Sequence, residues 1–170
     1  LVVGFFDDLA KAGAAIDKLK EHSPSAVEMI DGNLIQFLLQ HNPNQINKVV
    51  KEPGAKVVLF VEFDDLTSRK QKKHVKKAKK IFEDFAKSFV VSKDTNEQED
   101  YWKVRHSAAV VLWQNVGNKK SIPVIEDAVF PSEKFTEFMQ AAYALFDRFQ
   151  MDPPCVWGHA GSGNLHVQPF

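Results

Sequence analysis

The chain carries a single cysteine, Cys155, among its 170 residues, so no internal disulfide framework holds it together. Its core must come from apolar burial, and a lone thiol suits a reducing, cytoplasmic compartment. Net charge is also lacking: Lys+Arg and Asp+Glu both number 22, which gives no electrostatic reason to expect nucleic acid as a partner. No apolar run approaches the ~18–20 residues that cross a bilayer. Neither an initiator methionine nor a basic leader precedes Leu1-Val2-Val3-Gly4-Phe5-Phe6, and that run is too short for a signal peptide. The chain opens inside what reads as a buried strand and closes just after another, which predicts a piece of a longer protein.

Within the 170 residues, strand and helix signals alternate. Val2 to Phe6 is an apolar run; Asp7-Asp8 then starts a helix with Leu9, Ala12, Ile16 and Leu19 at helical spacing. Ser25 to Ile30 reads as a strand, Asn33 to Gln40 as helix, Pro43 to Gly54 as polar turn, and Lys56 to Phe63 as the clearest strand. Asp64-Asp65 starts a helix to about Lys87, Phe89 to Ser92 is a short strand, and Thr95-Asn96-Glu97-Gln98 has the form of a capping box opening a helix to about Gln114. Ile122 to Phe130 reads as a strand, and Ser132 caps a helix through Phe149. No linker or low-complexity segment interrupts the pattern. The expectation is one α+β domain over residues 1–170, with helices packed on a predominantly antiparallel sheet. Phe6-Asp7-Asp8-Leu9 recurs as Phe63-Asp64-Asp65-Leu66, each time between strand and helix, which allows a ferredoxin-like duplication.

Two features have plain structural readings. Eight of the twelve residues from Arg69 to Lys80 are basic, but Val75, Ala78, Phe82, Phe85 and Phe89 form an apolar stripe opposite them, as on the solvated face of an amphipathic helix. Phe135, Phe138, Met139, Ala142, Leu145, Phe146 and Phe149 form the core stripe of the helix after Ser132. Arg105 is different, because it shares an inward helix face with Trp102, Ala109 and Leu112. A buried guanidinium requires a partner. That partner is either a ligand carboxylate or an internal acid such as Glu126 or Asp127. His22, His41, His74 and His106 show no spacing that links them to a site.

The end of the chain holds the chemistry. Gly161-Ser162-Gly163-Asn164 lies between two strand-like runs, Cys155-Val156-Trp157 and Leu165-His166-Val167, and reads as a hairpin turn. A turn centred between Ser162 and Gly163 sets His159 directly opposite His166, with Cβ atoms roughly 4.5–5.5 Å apart. Two imidazoles at that spacing can share a divalent ion at about 2.0–2.1 Å from each nitrogen. Trp157 and Gln168 then join the histidine face, while Val156, Gly158, Ala160, Leu165 and Val167 lie on the other. A turn centred on Gly161-Ser162 pairs His159 with Asn164 instead. The same hairpin without a metal is simply a tight turn with solvated histidines.

Taken together, Phe5-Phe6-Asp7-Asp8-Leu9, Val27-Glu28-Met29-Ile30-Asp31, Trp102-Lys103-Val104-Arg105, the segment Pro123 to Pro131 containing Glu126-Asp127, and Gly158-His159-Ala160-Gly161-Ser162-Gly163-Asn164-Leu165-His166 resemble one family along essentially the whole chain. It is the C-terminal domain of the FAD-linked oxidases, the glycolate oxidase, D-lactate dehydrogenase and 2-hydroxyglutarate dehydrogenase group. The resemblance implies an α+β substrate-binding cap that packs on a separate flavin domain of the same polypeptide, with FAD as hydride acceptor. It implies Arg105 as the clamp on the carboxylate of a small 2-hydroxy acid. It implies His159 and His166 as catalytic residues and as ligands of a divalent metal such as zinc or manganese, and Asn164 beside the substrate or flavin. The metal would polarise the 2-hydroxyl oxygen, and where none is bound a histidine would take its proton. Peripheral contact with a membrane or an electron acceptor is compatible with the resemblance. Ser162 stands where the family carries an acid, and the family's third ligand, a glutamate in a later Glu-His-Gly motif, is not among these residues, so this segment alone is expected to be inactive. The rival reading is a non-catalytic carboxylate-binding module on the same scaffold. A metal-only hydrolase lacks a nucleophile at suitable spacing.

Overall fold

The computed structural model describes residues 1–64, 67–112, 125 and 127–169, the side chains of 45 and 108–112 excepted. Its strands are β1 (Val2–Phe6), β2 (Ala26–Asp31), β3 (Val57–Glu62), β4 (Ser88–Val91), β5 (Ala128–Val129), β6 (Cys155–His159) and β7 (Asn164–Gln168). Its helices are α1 (Leu9–Lys20), α2 (Gly32–His41), α3 (Pro43–Val49), α4 (Ser68–Phe85), α5 (Thr95–Leu112) and α6 (Phe135–Arg148). The strands form one sheet in the order β4-β1-β3-β2-β6-β7-β5, antiparallel at every described pairing. Strands β1 to β4 with α1 and α4 make one split, ferredoxin-like unit. The Phe-Asp-Asp-Leu segments therefore sit at equivalent strand ends of its two halves, and Asp8 caps α1 by accepting the Ala10 and Lys11 N–H groups. Residues 65 and 66 of the second copy lie outside the described residues.

Helices cover both faces, which explains why β1 and β3 read as unbroken apolar runs rather than as alternation. On one face Ile16 and Leu19 of α1, Ala78 and Phe82 of α4, and Phe135 and Met139 pack on Met29, Leu59, Val61, Val156 and Leu165. On the other, Leu34, Ile46, Val49, Tyr101 and Val104 from α2, α3 and α5 pack on Phe5, Ile30, Phe60 and Trp157. The second face carries the functional side chains.

The structure corrects several boundaries. Pro43 to Gly54 is not all turn: Pro43 opens α3, and Ile46 and Val49, three apart, bury one side of it. Helix α4 starts at Ser68, four residues beyond Asp64. Asp94, not Thr95, caps α5, its carboxylate accepting the Glu97 N–H at 2.9 Å. In α6 the buried line runs Phe135, Met139, Phe146, so Leu145 and Phe149 turn outward and are 50% and 64% exposed. Of the strand expected over Ile122 to Phe130, only Ala128–Val129 is described as strand; 122–124 and 126 lie outside the described residues.

Asp31 illustrates how a buried carboxyl sets a pH dependence. It ends β2, caps α2 through Leu34 N–H at 2.9 Å, and accepts the Tyr143 hydroxyl at 2.7 Å, with no solvent exposure. Desolvation wins over these hydrogen bonds and pushes its pKa up to about 7. The folded state therefore favours the neutral acid, so this stabilisation is present below the usual carboxylate range and is lost as pH rises towards 7. Asp31→Asn stays neutral throughout. The melting temperature of the unsubstituted protein should fall relative to Asp31→Asn between about pH 4 and pH 7; a difference independent of pH would contradict this.

Candidate functional site

The terminal hairpin forms, but two residues out of the expected register. His159 pairs with Asn164 and Trp157 with His166, so the turn centres on Gly161-Ser162 and His159 does not face His166 directly. The physical reason lies in the turn. Ala160–Ser162 makes a single 3-10 turn, Gly163 follows in the left-handed region at φ 65°, and its N–H closes on the Ala160 carbonyl at 3.2 Å. Because the shift is two residues, no side chain changes face. Trp157, His159, Asn164, His166 and Gln168 still share one side, with Val156, Ala160, Leu165 and Val167 in the opposite core. The histidines become diagonal neighbours with ring centroids 6.3 Å apart.

Strand β2 supplies the residue that sequence reasoning missed. Met29 pairs with Gly158 and Ile30 with Trp157, so the next step of the ladder places Glu28 opposite His159. Gly158 is required there: at φ 145° a Cβ would sit 2.6 Å from the Asn164 carbonyl oxygen. Glu28 Oε1 lies 2.6 Å from His159 Nδ1. Its other oxygen, Oε2, accepts Arg105 Nε at 3.0 Å and Nη2 at 2.7 Å. The ion pair is buried, with the Arg105 and Glu28 side chains 8% and 11% exposed. Arg105 thus has an internal acid, Glu28; Asp127 bonds to His166, and Glu126 lies outside the described residues. In the sequence Glu28 is simply one of two acids in the strand segment Val27-Glu28-Met29-Ile30-Asp31. A charge in a strand covered on both faces needs a partner, and Arg105 on an inward helix face was the complementary signal.

The second histidine is held in the same way, His166 Nδ1 lying 2.8 Å from Asp127 Oδ1. A carboxylate can only accept, so in each neutral imidazole Nδ1 carries the hydrogen and Nε2 the lone pair. That is the arrangement by which metal-ligating histidines are oriented. Among the described residues no group of three or more His, Cys, Asp or Glu could hold an ion, so the site here offers a ligand pair. The side chains of His159 and His166 are 53% and 31% exposed, which leaves the site open to solvent.

Asn164 pairs with His159 where the strands meet the turn, and its Oδ1 is buried with no hydrogen-bond partner among the described residues. Nε2 of Gln168, on the same face, is in the same condition. Buried polar atoms are ordinarily satisfied, so these two are exceptions on the histidine face. Glu28 and His159 line a polar cavity of about 330 Å³ together with Lys20, Ser25 and Ser162. A larger one of about 430 Å³ lies elsewhere, against Tyr143, Phe146, Met151 and Pro154, and its lining is mainly apolar. Of the oriented groups, Glu28 and His159 line the smaller one. Of the remaining histidines, His106 stacks on Trp102 and His41 packs on Phe37, while His22 and His74 face each other, none of them in this cluster. Among the described residues, no helix is long and apolar enough to cross a membrane.

The family model for FAD linked oxidases, C-terminal domain, matches residues 1–170. The chain belongs to that family, which implies FAD and an FAD-binding domain as partner. No curated protein matches the chain.

Proposed function

We propose, with membership of the FAD-linked oxidases as the premise, that this domain is the substrate-binding part of a flavin-dependent dehydrogenase or oxidase of small 2-hydroxy acids. The observation that carries this is the buried Arg105 guanidinium, held by Glu28 beside a carboxylate-oriented histidine pair. Glu28 occupies Nε and Nη2 through a single oxygen, and none of the described contacts uses Nη1, so the Nη1/Nη2 end remains for a second carboxylate. A clamp for a carboxylate next to groups that handle a hydroxyl proton is what a 2-hydroxy acid requires.

Each residue then has a task. Arg105 fixes the carboxylate and with it the direction of the C2–H bond. The lone pair on His159 Nε2 accepts the 2-hydroxyl proton in the absence of a metal, and Glu28 holds the ring while it does so. Asn164 Oδ1 accepts a hydrogen bond from the substrate or from the flavin ring, which would satisfy its burial. FAD, when bound, supplies the acceptor for the hydride from C2. A divalent ion such as zinc or manganese would be held by His159 and His166 through Nε2 and would polarise the 2-hydroxyl oxygen. Trp157, 5% exposed and packed against His166, shields the inner side of the pair from water. The domain would act as the cap, closing on the flavin domain.

The test is anaerobic mixing of the full-length flavoprotein with lactate, glycolate or 2-hydroxyglutarate, and in parallel with simple alcohols that lack the carboxylate. At least one 2-hydroxy acid should bleach the flavin absorbance while the alcohols leave it unchanged. Reduction by the alcohols at equal rate, or by no 2-hydroxy acid, would sink the reading.

A further inference from the structure

Glu28 is the only described side chain that touches both halves of the site. Its two oxygens do not share a partner: Oε1 meets His159 Nδ1 at 2.6 Å, and Oε2 takes both contacts from Arg105, at 2.7 and 3.0 Å. The carboxylate is anchored in β2, the strand paired with both β3 and β6, whereas Arg105 rides on α5 and His159 is the last residue of β6. The rigid element thus holds the two groups that must face a ligand. Its geometry also selects atoms. Contact from Glu28 through Nε and Nη2 directs the opposite end of the guanidinium away from β2, and contact at Nδ1 directs His159 Nε2 outward.

We propose that Glu28 is a positioning residue that couples the carboxylate anchor to the catalytic histidine, so that one carboxylate aims Arg105 at the substrate and His159 at the hydroxyl or at a metal. This rests on the function proposed above and deepens it, making the two separate contacts of Glu28 one coupled role. A mere counter-ion for Arg105 would need no contact with His159, and a mere ring-holder for His159 would need none with Arg105. The coupling makes a distinct prediction: a single isosteric change at Glu28 damages binding at two chemically different places.

The probes are propionate, which has the carboxylate but no hydroxyl to oxidise, and Zn(II) alone, each titrated by calorimetry into EDTA-treated full-length flavoprotein well below its melting temperature. Glu28→Gln keeps the shape and removes the charge. It should weaken propionate at least tenfold, and Zn(II) by about 10–100-fold, the usual effect of losing the group behind a ligating histidine. Wild-type affinity for either probe in the folded variant overturns the proposal. If the uncompensated Arg105 prevents folding, Glu28→Gln combined with Arg105→Gln removes both charges and is compared with Arg105→Gln alone. Zn(II) should still bind at least tenfold more weakly when Glu28 is changed, and equal affinity overturns the proposal. Arg105→Ala separates the two levels of argument. If wild type and Arg105→Ala bind propionate equally, the carboxylate clamp itself is wrong and Glu28 falls with it; if only Arg105→Ala loses propionate while Glu28→Gln keeps it, the clamp stands and the coupling fails.

Discussion

Replacing Arg105 by alanine in the full-length flavoprotein is expected to lower kcat/KM for its 2-hydroxy acid by about 3 kcal/mol, roughly 100-fold, the scale of one lost charge-assisted pair. The direct part of the loss should appear in KM, because a carboxylate clamp binds ground state and transition state alike. A second part should appear in kcat. Glu28 loses the cation that holds one of its oxygens, and His159, bonded to the other at 2.6 Å, loses a fixed neighbour. Stability should fall as well, since breaking a buried ion pair leaves a desolvated charge, at a cost of about 3 kcal/mol, the low end of the usual range because His159 still contacts Glu28. Arg105→Lys keeps the charge without the fork and should recover stability more than kcat/KM. Steady-state kinetics and melting on the same preparations separate the effects. Unchanged kinetics with a lowered melting temperature would make Arg105 a structural ion-pair partner and remove it from the mechanism.

Much of the fold was legible because local rules and tertiary packing agree. The apolar runs at Val2–Phe6 and Val57–Glu62 and the acid cap at Asp8 follow from local signals, and the lysine-backed stripe of α4 follows from its period, though not from the acids at its expected start. Failures came where two local solutions were nearly equal. Gly161-Ser162-Gly163-Asn164 offers two turn centres; the one adopted closes a 3-10 turn on Gly163, whose carbonyl also accepts the N–H of Phe130, over thirty residues away. The error was harmless for function because strand side chains alternate with period two, so a slip of two keeps every residue on its face. Pro43 to Gly54 failed differently: Ile46 and Val49 are too few to reveal a helix by periodicity, and only the core they enter identifies it.

Of the site, the residue types were readable and their connections were not. His159, His166, Arg105 and Asn164 could be singled out, but the bond that organises them joins positions 77 and 131 residues apart in sequence. No periodicity spans such a distance. What a sequence does reveal is a mismatch, a charge placed where burial is expected. Glu28 between Val27 and Met29, and Arg105 beside Val104, are two such mismatches of opposite sign, and buried charges of opposite sign are each other's natural partners. Reading both at once would have found the pair.

The turn that fixes the register is the most fragile point of the site, and Gly163→Val should show it. Gly163 has φ 65°, and a Cβ built there would lie 1.9 Å from the Phe130 carbonyl oxygen and 3.1 Å from its carbon. Those are backbone atoms, so no side chain can rotate away. The segment cannot withdraw freely either, because Phe130 N–H donates to the Gly163 carbonyl at 2.9 Å and Val129 pairs with Asn164. A β-branched residue adds about 1–2 kcal/mol of left-handed backbone strain to an overpacking cost of about 1–3 kcal/mol. Against a typical domain stability of about 5–15 kcal/mol, that is a large fraction. At about 2–4 °C per kcal/mol for a domain of this size, the melting temperature should drop by roughly 10 °C. Gly54 provides the control: nothing lies within 4 Å of its added Cβ, so Gly54→Ala should melt within a degree or two of the parent. The consequence reaches the chemistry through β5. Displacing Phe130 moves the strand that follows Asp127, and with it the carboxylate 2.8 Å from His166 Nδ1, so Zn(II) affinity should fall together with the melting temperature. Equal melting of Gly163→Val and Gly54→Ala would mean that the turn tolerates another register, and that His159 and His166 are not held by it.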